Sequence, residues 1–316
     1  MRILLTANKT LRTFKIVDDK IKVDKQWVDG NYWNVYIPLQ NLGHDVYFYD
    51  TVNPEEKNFK SVVDRFKPDL IFCCLTNDKS IAPYEPWEEI QNYTHNGLTR
   101  TFNWFCDDTW RFEDFSKYAC HAFNVCSTPE ISYIERFKKD ANYTNIILGL
   151  WHANMDLFPT KKLKKEHDIS FCGQLNRDRA EYIQYLKEEG IEIKRFHGLE
   201  QKDMISTLAK SKIGINFSKN FNGKEPTLQI KGRMFEVPAA RALLFTEYTP
   251  GLEEHYELDK EIVTFTNKDD MREKAQFLLK NPSHIAEISE KGHNRLISCH
   301  ESKIRLKNII KEVFEV

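Results

Sequence analysis

"KGRMFEVPAARALLFTEYTPGLEEHY", residues 231–256, decides the fold. A basic lead carrying Gly232 and Arg233 opens the apolar run MFEVPAA, which suits a buried helix. The apolar strand LLFT follows, then a turn at Pro250-Gly251 and a second helix start. A helix that feeds directly into an apolar strand is one step of a parallel α/β sheet. One residue is out of place in it. Glu236 is a carboxylate at the head of an otherwise apolar helix, and its plainest reading is a first-turn acid favoured by the helix dipole.

The same alternation extends to either side. Downstream, EIVTF (261–265) reads as a strand, and from Asp269 to Val316 the pattern is helical. Upstream, DISFCG (168–173), IEIKRF (191–196) and KIGINF (212–217) read as strands, with helices over about 178–189 and 202–210 between them. The first half repeats the scheme. Its strands fall at Arg2–Thr6, Val46–Tyr49, Leu70–Cys74, Thr101–Phe105, Phe123–Cys126 and Asn145–Leu148, and a helix over Tyr32–Leu42 ends at Gly43. Two alternating runs around Asp18-Asp19 predict a hairpin inserted after the first strand. Pro159 and the Lys-rich run KKLKK (161–165) mark a junction, so residues 1–158 and 159–300 form two Rossmann-like domains and 301–316 a terminal helix. Two doubly wound units in one chain put a cleft between two sheets, each presenting the carboxyl ends of its strands.

Composition narrows the function. Basic and acidic residues nearly cancel, 46 against 47, and the pI of about 6.8 supplies no basic field for nonspecific nucleic-acid binding. Residues 1–158 carry 18 basic and 22 acidic side chains, a net −4 that leaves +3 for the rest, so the second half is the better host for an anionic ligand. No run of about 18 apolar residues is present, which predicts a soluble, cytoplasmic protein. The seven cysteines form no C-x-x-C pair and sit in apolar segments, as buried free thiols do. The ten histidines lack ligand spacing. No P-loop, dinucleotide fingerprint or G-x-S-x-G frame appears, which removes the main NTPase and hydrolase signatures.

The polar loop before residue 231 gives Glu236 a second reading. A carboxylate there can accept both hydroxyls of a ribose while Arg233 and the helix start face a diphosphate. The stretch LQIKGRMFEVPAARALLFTEYTPGLEEHY, with KEIVTFTNKDDMREKAQFLLKNPSHIAEISEKGHNRLISCHESKIRL, resembles the CgeB-like (spore-maturation-protein-like) branch of the group 1 glycosyltransferases. In the first half the likeness continues more loosely through TFNWFCDDTWRF and LGLWHANMDLF. The resemblance implies a GT-B fold, with the nucleotide-sugar donor on the C-terminal domain, the acceptor on the N-terminal one and a C-terminal helix crossing back. It makes Glu236 the ribose-holding acid of the family's E-x7-E motif. The first acid of that motif falls on Leu228 and is missing, with Glu225 or Gln229 as substitutes. It assigns the amides of Thr249, Gly251 and Leu252 to the diphosphate and sugar, and Arg177 and Arg179 to the phosphates. The sugar would be a hexose or pentose, transferred with retention and without a metal or other cofactor.

On the acceptor side, Asp107, Asp108 and His121 are the candidate catalytic residues, and His152 is a further histidine in view. The paired acids have a metal-binding alternative, as in GT-A transferases. A glycan, a protein or a hydroxymethylated base of phage DNA would serve as acceptor. Two other readings remain in play: a GT-B-fold epimerase or hydrolase acting on the nucleotide sugar, and a non-catalytic nucleotide-sugar-binding protein.

Overall fold

The computed structural model of the protein describes residues 1–17 and 20–316, the side chains of 13–25 excepted. The turn expected at Asp18-Asp19 lies outside the described residues. The chain divides into two compact units, residues 1–150 with 302–316, and residues 151–301. The segment 151–158 therefore belongs with the second unit, and the terminal helix with the first.

In the first unit, β1 (Arg2–Ala7) is followed by the antiparallel pair β2 (Thr10–Val17) and β3 (Lys20–Val28), which form a two-stranded sheet of their own. Then come β4 (Asp45–Asp50), β5 (Leu70–Cys74), β6 (Arg100–Trp104), β7 (Val125–Thr128) and β8 (Ile146–Leu148). These six pair in the order β4-β1-β5-β6-β7-β8, every neighbour parallel. All five residues of β5 are buried, because helices cover both faces of a parallel sheet and its central strands see no water. Burying a side chain such as Leu70, Ile71 or Phe72 contributes about 1.5–3 kcal/mol each as an upper estimate.

The helix expected over 32–42 is two pieces, a π turn over Tyr32–Tyr36 and an α turn over Ile37–Asn41. Pro38 has no N–H to give to the carbonyl of residue 34, and the Ile37 amide reaches back to Tyr32 instead. Gly43 ends it at φ +83°. The terminal helix Ser302–Glu315 buries Leu306, Ile309, Ile310 and Val313, one stripe at helical spacing, and the Val313 carbonyl accepts Arg100 Nε at 2.9 Å.

In the second unit β9 (His167–Cys172), β10 (Lys194–Phe196), β11 (Ser211–Asn216), β14 (Leu243–Glu247) and β15 (Val263–Phe265) pair in parallel in the order β10-β9-β11-β14-β15. A short hairpin, β12 (Lys219–Asn220) with β13 (Thr227–Leu228), rises from the loop after β11. Setting the inserted hairpins aside, the first unit reads 2-1-3-4-5-6 along its sheet and the second 2-1-3-4-5. Strand order reverses on either side of the first strand, so a crevice opens at the carboxyl ends of β1 and β5, and of β9 and β11.

Candidate functional site

At the second unit's carboxyl edge, β9 runs into Gly173. A Cβ there would sit 2.9 Å from the Phe171 ring, so glycine lets the chain fold back over that ring. Asn176 then caps the helix Arg177–Glu188, its side-chain oxygen accepting the Arg179 amide at 2.9 Å. The two candidate arginines diverge from this start. Arg177 points to solvent, its side chain 95% exposed and ion-paired with Glu181. Arg179 folds back: Nη1 donates to the Gln174 carbonyl at 2.8 Å, the guanidinium lies 5.9 Å from the Phe171 ring, and Nε is buried with no partner among the described residues.

Across the fork, the loop after β11 is locked by charge. The Lys219 amide donates to the buried Glu247 carboxylate at 2.8 Å, and Lys231 Nζ donates to the carbonyls of Phe217 and Lys219 at 2.9 and 3.0 Å. Lys219 Nζ stands 3.4 Å from Asp178. The hairpin leaves Leu228 partly exposed and Glu225 exposed, and buries Gln229, which accepts Asn220 Nδ2 at 2.8 Å.

The helix Arg233–Ala239 begins beyond this loop, with Met234, Phe235 and Val237 buried. It packs tightly: a Cβ on Gly214 of β11 would lie 2.7 Å from Val237. Arg233 and Glu236 share one face, Nη1 to Oε2 at 2.9 Å, both mostly buried, and both act on the Cys172 thiol at the end of β9. In the turn after β14, Gly251 takes φ +89°, its amide donates to Glu253 at 3.1 Å, and the Leu252 amide donates to the Thr249 carbonyl at 3.2 Å. Those two amides, expected to face a diphosphate, are engaged inside the turn. The buried Thr249 hydroxyl has no partner among the described residues.

In the first unit Asp107 and Asp108 follow β6 at the carboxyl edge. Asp108 is sealed, 1% exposed, and burial pushes its carboxyl up to about 6. The hydroxyls of Ser116 and Thr128 face it and draw it partly back, but neither carboxylate oxygen is held in a well-formed hydrogen bond among the described residues. No group of three or more His, Cys, Asp and Glu suited to an ion occurs among the described residues. His121 lies apart from these two acids. It precedes β7 instead of following a strand, and in an all-parallel sheet that places it at the opposite edge from Asp107 and Asp108; its Nε2 sits 3.0 Å from the Ala141 carbonyl. His152 is buried in the second unit's leading segment.

Sequence reasoning missed two carboxylates at this edge. Glu85 accepts the amides of Thr76 and Asn77, both at 2.7 Å, and Trp87 Nε1 at 2.9 Å, shaping the loop after β5. Asp29 closes the inserted hairpin, its amide donating to the Lys9 carbonyl at 2.9 Å, and burial raises its carboxyl to about 6. Only tertiary burial marks it out, and the local sequence "WVDGN" reads as a turn.

Residues 158–311 match the model of a family described as glycosyl transferase-like. No curated protein matches the chain. Three solved structures are similar along almost their whole length. Sucrose-phosphate synthase from Thermosynechococcus elongatus has a TM-score of 0.66 at 9% identity, with 99% of each chain covered. AviGT4, a glycosyltransferase involved in avilamycin A biosynthesis, has 0.65 at 12%, covering 99% of this chain and 97% of its own. An α-glucosyltransferase in complex with UDP and a 13-mer DNA containing an HMU base has 0.60 at 12%, with 99% of each covered. At these identities the likeness establishes the fold, the two Rossmann-like domains of GT-B. The family match covers just under half of the chain and the likeness in fold almost all of it.

Proposed function

We propose that the protein transfers a hexosyl or pentosyl group from a nucleotide-diphosphate sugar to a hydroxyl, as a member of the CgeB-like branch. The observation that carries this reading is the Arg233–Glu236 pair at 2.9 Å, on the same sheet edge as the inward-folded Arg179. Glu236 offers two acceptor oxygens to a ribose diol. Arg233 and Arg179 offer planar donors to a diphosphate, which balances the departing charge without a metal ion. Gln229, buried beside the missing acid at Leu228, is the better placed substitute for it than exposed Glu225. The Thr249 hydroxyl supplies the donor that the engaged amides of Gly251 and Leu252 do not.

The first unit takes the acceptor in this reading, its carboxyl edge carrying Asp107, Asp108 and Asp29. A glycan hydroxyl, a protein hydroxyl and a hydroxymethylated base in DNA are the acceptor classes, and retention at the anomeric carbon is what the branch resemblance implies. Seven free cysteines suit a reducing compartment, so we place the reaction in the cytoplasm. No described helix is long and apolar enough to cross a membrane.

The test is mass spectrometry of a panel of glycans, peptides and hydroxymethylated oligonucleotides incubated with uridine, guanosine and thymidine diphosphate sugars. A hexose or pentose mass gain on one acceptor class supports transfer. Donor consumed with no acceptor modified favours the epimerase or hydrolase alternative, and donor bound but intact favours a binding protein.

A further inference from the structure

We propose that a cavity on the flank of the first unit binds one uncharged sugar ring of a glycan. The cavity, about 330 Å³, is lined by Asn77, Trp87, Asp114, Phe115, Tyr118 and Ala119, all within that unit. Asn77 follows β5 and Trp87 opens the helix Trp87–His95, while the other four lie on the helical turns Phe112–Ser116 and Lys117–Ala119 that lead from β6 towards β7. Asp107 and Asp108 are not in the lining, so the cavity is separate from the acids described above. Its volume is that of a small-molecule site, for which about 300–1,000 Å³ is usual.

The cavity is set before any ligand arrives. One carboxylate, Glu85, accepts Trp87 Nε1 at 2.9 Å and the Asn77 amide at 2.7 Å, so it fixes a wall and the rim together. Phe115 and Phe123 brace the Trp87 ring edge-on, each with its centroid 5.8 Å away. Asn77 is held at φ +54°, a left-handed conformation that asparagine adopts more readily than most residues. Groups fixed in this way lose little freedom on binding.

The lining selects the occupant. With its N–H spent on Glu85, Trp87 offers only its ring, and Tyr118, 64% exposed, adds a second aromatic surface. Aromatic faces are electron-rich and attract the weakly positive C–H face of a pyranose. The side chains of Asn77 and Asp114 make no hydrogen bond among the described residues, and both suit the hydroxyls at the edge of such a ring. Asp114 carries the only charge in the lining. The cations beside it are engaged: Lys117 Nζ pairs with Glu113 at 2.8 Å, and Arg111 donates to the Thr76 carbonyl with its guanidinium 4.2 Å from the Phe115 ring. A phosphate-bearing strand would meet a carboxylate there and no lining cation, whereas an uncharged polyol meets hydrogen-bonding partners. The cavity therefore favours a glycan among the acceptor classes proposed above, and that step alone rests on the transferase reading.

The test uses the full chain with four neutral trisaccharides, maltotriose, cellotriose, mannotriose and triacetylchitotriose, and with a hydroxymethylated DNA oligonucleotide. Ligand-observed NMR titration gives affinities for wild type, Tyr118→Phe and the double variant Asp114→Ala with Tyr118→Ala. Both positions are exposed, and melting temperatures check that the variants fold. The proposal expects wild type to bind at least one trisaccharide with a Kd of about 10 mM or tighter. Tyr118→Phe stays within about threefold because the ring remains, and the double variant loses about tenfold or more. No trisaccharide bound to wild type at that concentration overturns the proposal, and so does a double variant that binds as wild type does. Oligonucleotide binding that the double variant loses overturns it as well, because the cavity then takes nucleic acid. Melting of wild type with UDP, GDP and dTDP reads the second unit by itself. If none of the three stabilises while a trisaccharide binds as expected, the transferase reading falls and the sugar cavity stands.

Discussion

Arg233 Nη1 lies 2.9 Å from Glu236 Oε2, one helical turn apart on the same face. In the resting chain each neutralises the other. On the proposed reading a nucleotide diphosphate takes both, phosphate to the guanidinium and ribose hydroxyls to the carboxylate, and the pair opens when ligand arrives. Glu236→Gln leaves the helix in place, because Met234, Phe235 and Val237 hold it, and weakens nucleoside diphosphate binding by roughly 10- to 100-fold. Calorimetric titration measures this.

Arg177 and Arg179 are two positions apart and have opposite fates. Arg179→Ala removes a guanidinium folded over Phe171, and the expected loss of nucleotide affinity is about tenfold or more. Arg177→Ala removes a side chain 95% exposed and changes affinity by less than about twofold. Thermal shift with a nucleoside diphosphate separates them.

Asp108 predicts a variant that gains stability. Its folded carboxyl is raised to about 6 from 3.8, so folding opposes the charged form. Below about pH 4 both states are protonated and there is no cost. The cost grows across pH 4–6 and is complete above it, on the order of 3 kcal/mol at most. Asp108→Asn is therefore more stable than wild type at pH 7, by an amount that shrinks to nothing near pH 4. Denaturant unfolding at both pH values checks the sign.

Gly214 lets the helix Arg233–Ala239 approach β11. Gly214→Ala drives a methyl to 2.7 Å from Val237 and destabilises by about 1–3 kcal/mol. Adding Val237→Ala recovers part of that loss, a non-additivity that marks direct contact. Urea midpoints of the single and double variants measure it.

The sheets were legible because strands buried on both faces read as apolar runs, LIFCC in β5 and the LLF that opens β14 among them. Boundaries were less so. IEIKRF pairs only over Lys194–Phe196, since Ile191 and Ile193 bury into the core before the ladder begins. The β12–β13 hairpin was read as loop, its two-residue strands being too short for any period to show. Glu236 stood out because its neighbours are apolar. Asp29 did not, because what raises it is burial in the folded chain, which the local sequence does not show. Arg177 and Arg179 were equivalent on paper, and only the fold back over Gly173 tells them apart.

The central claim is a metal-independent nucleotide-diphosphate pocket centred on Glu236. Its most direct test is calorimetric titration of wild type and Glu236→Ala with UDP, GDP and dTDP, each in excess EDTA. The account predicts that wild type binds one of the three selectively in EDTA and that Glu236→Ala loses at least about tenfold in affinity for it. Binding that needs a divalent cation, or that is unchanged in Glu236→Ala, would contradict it.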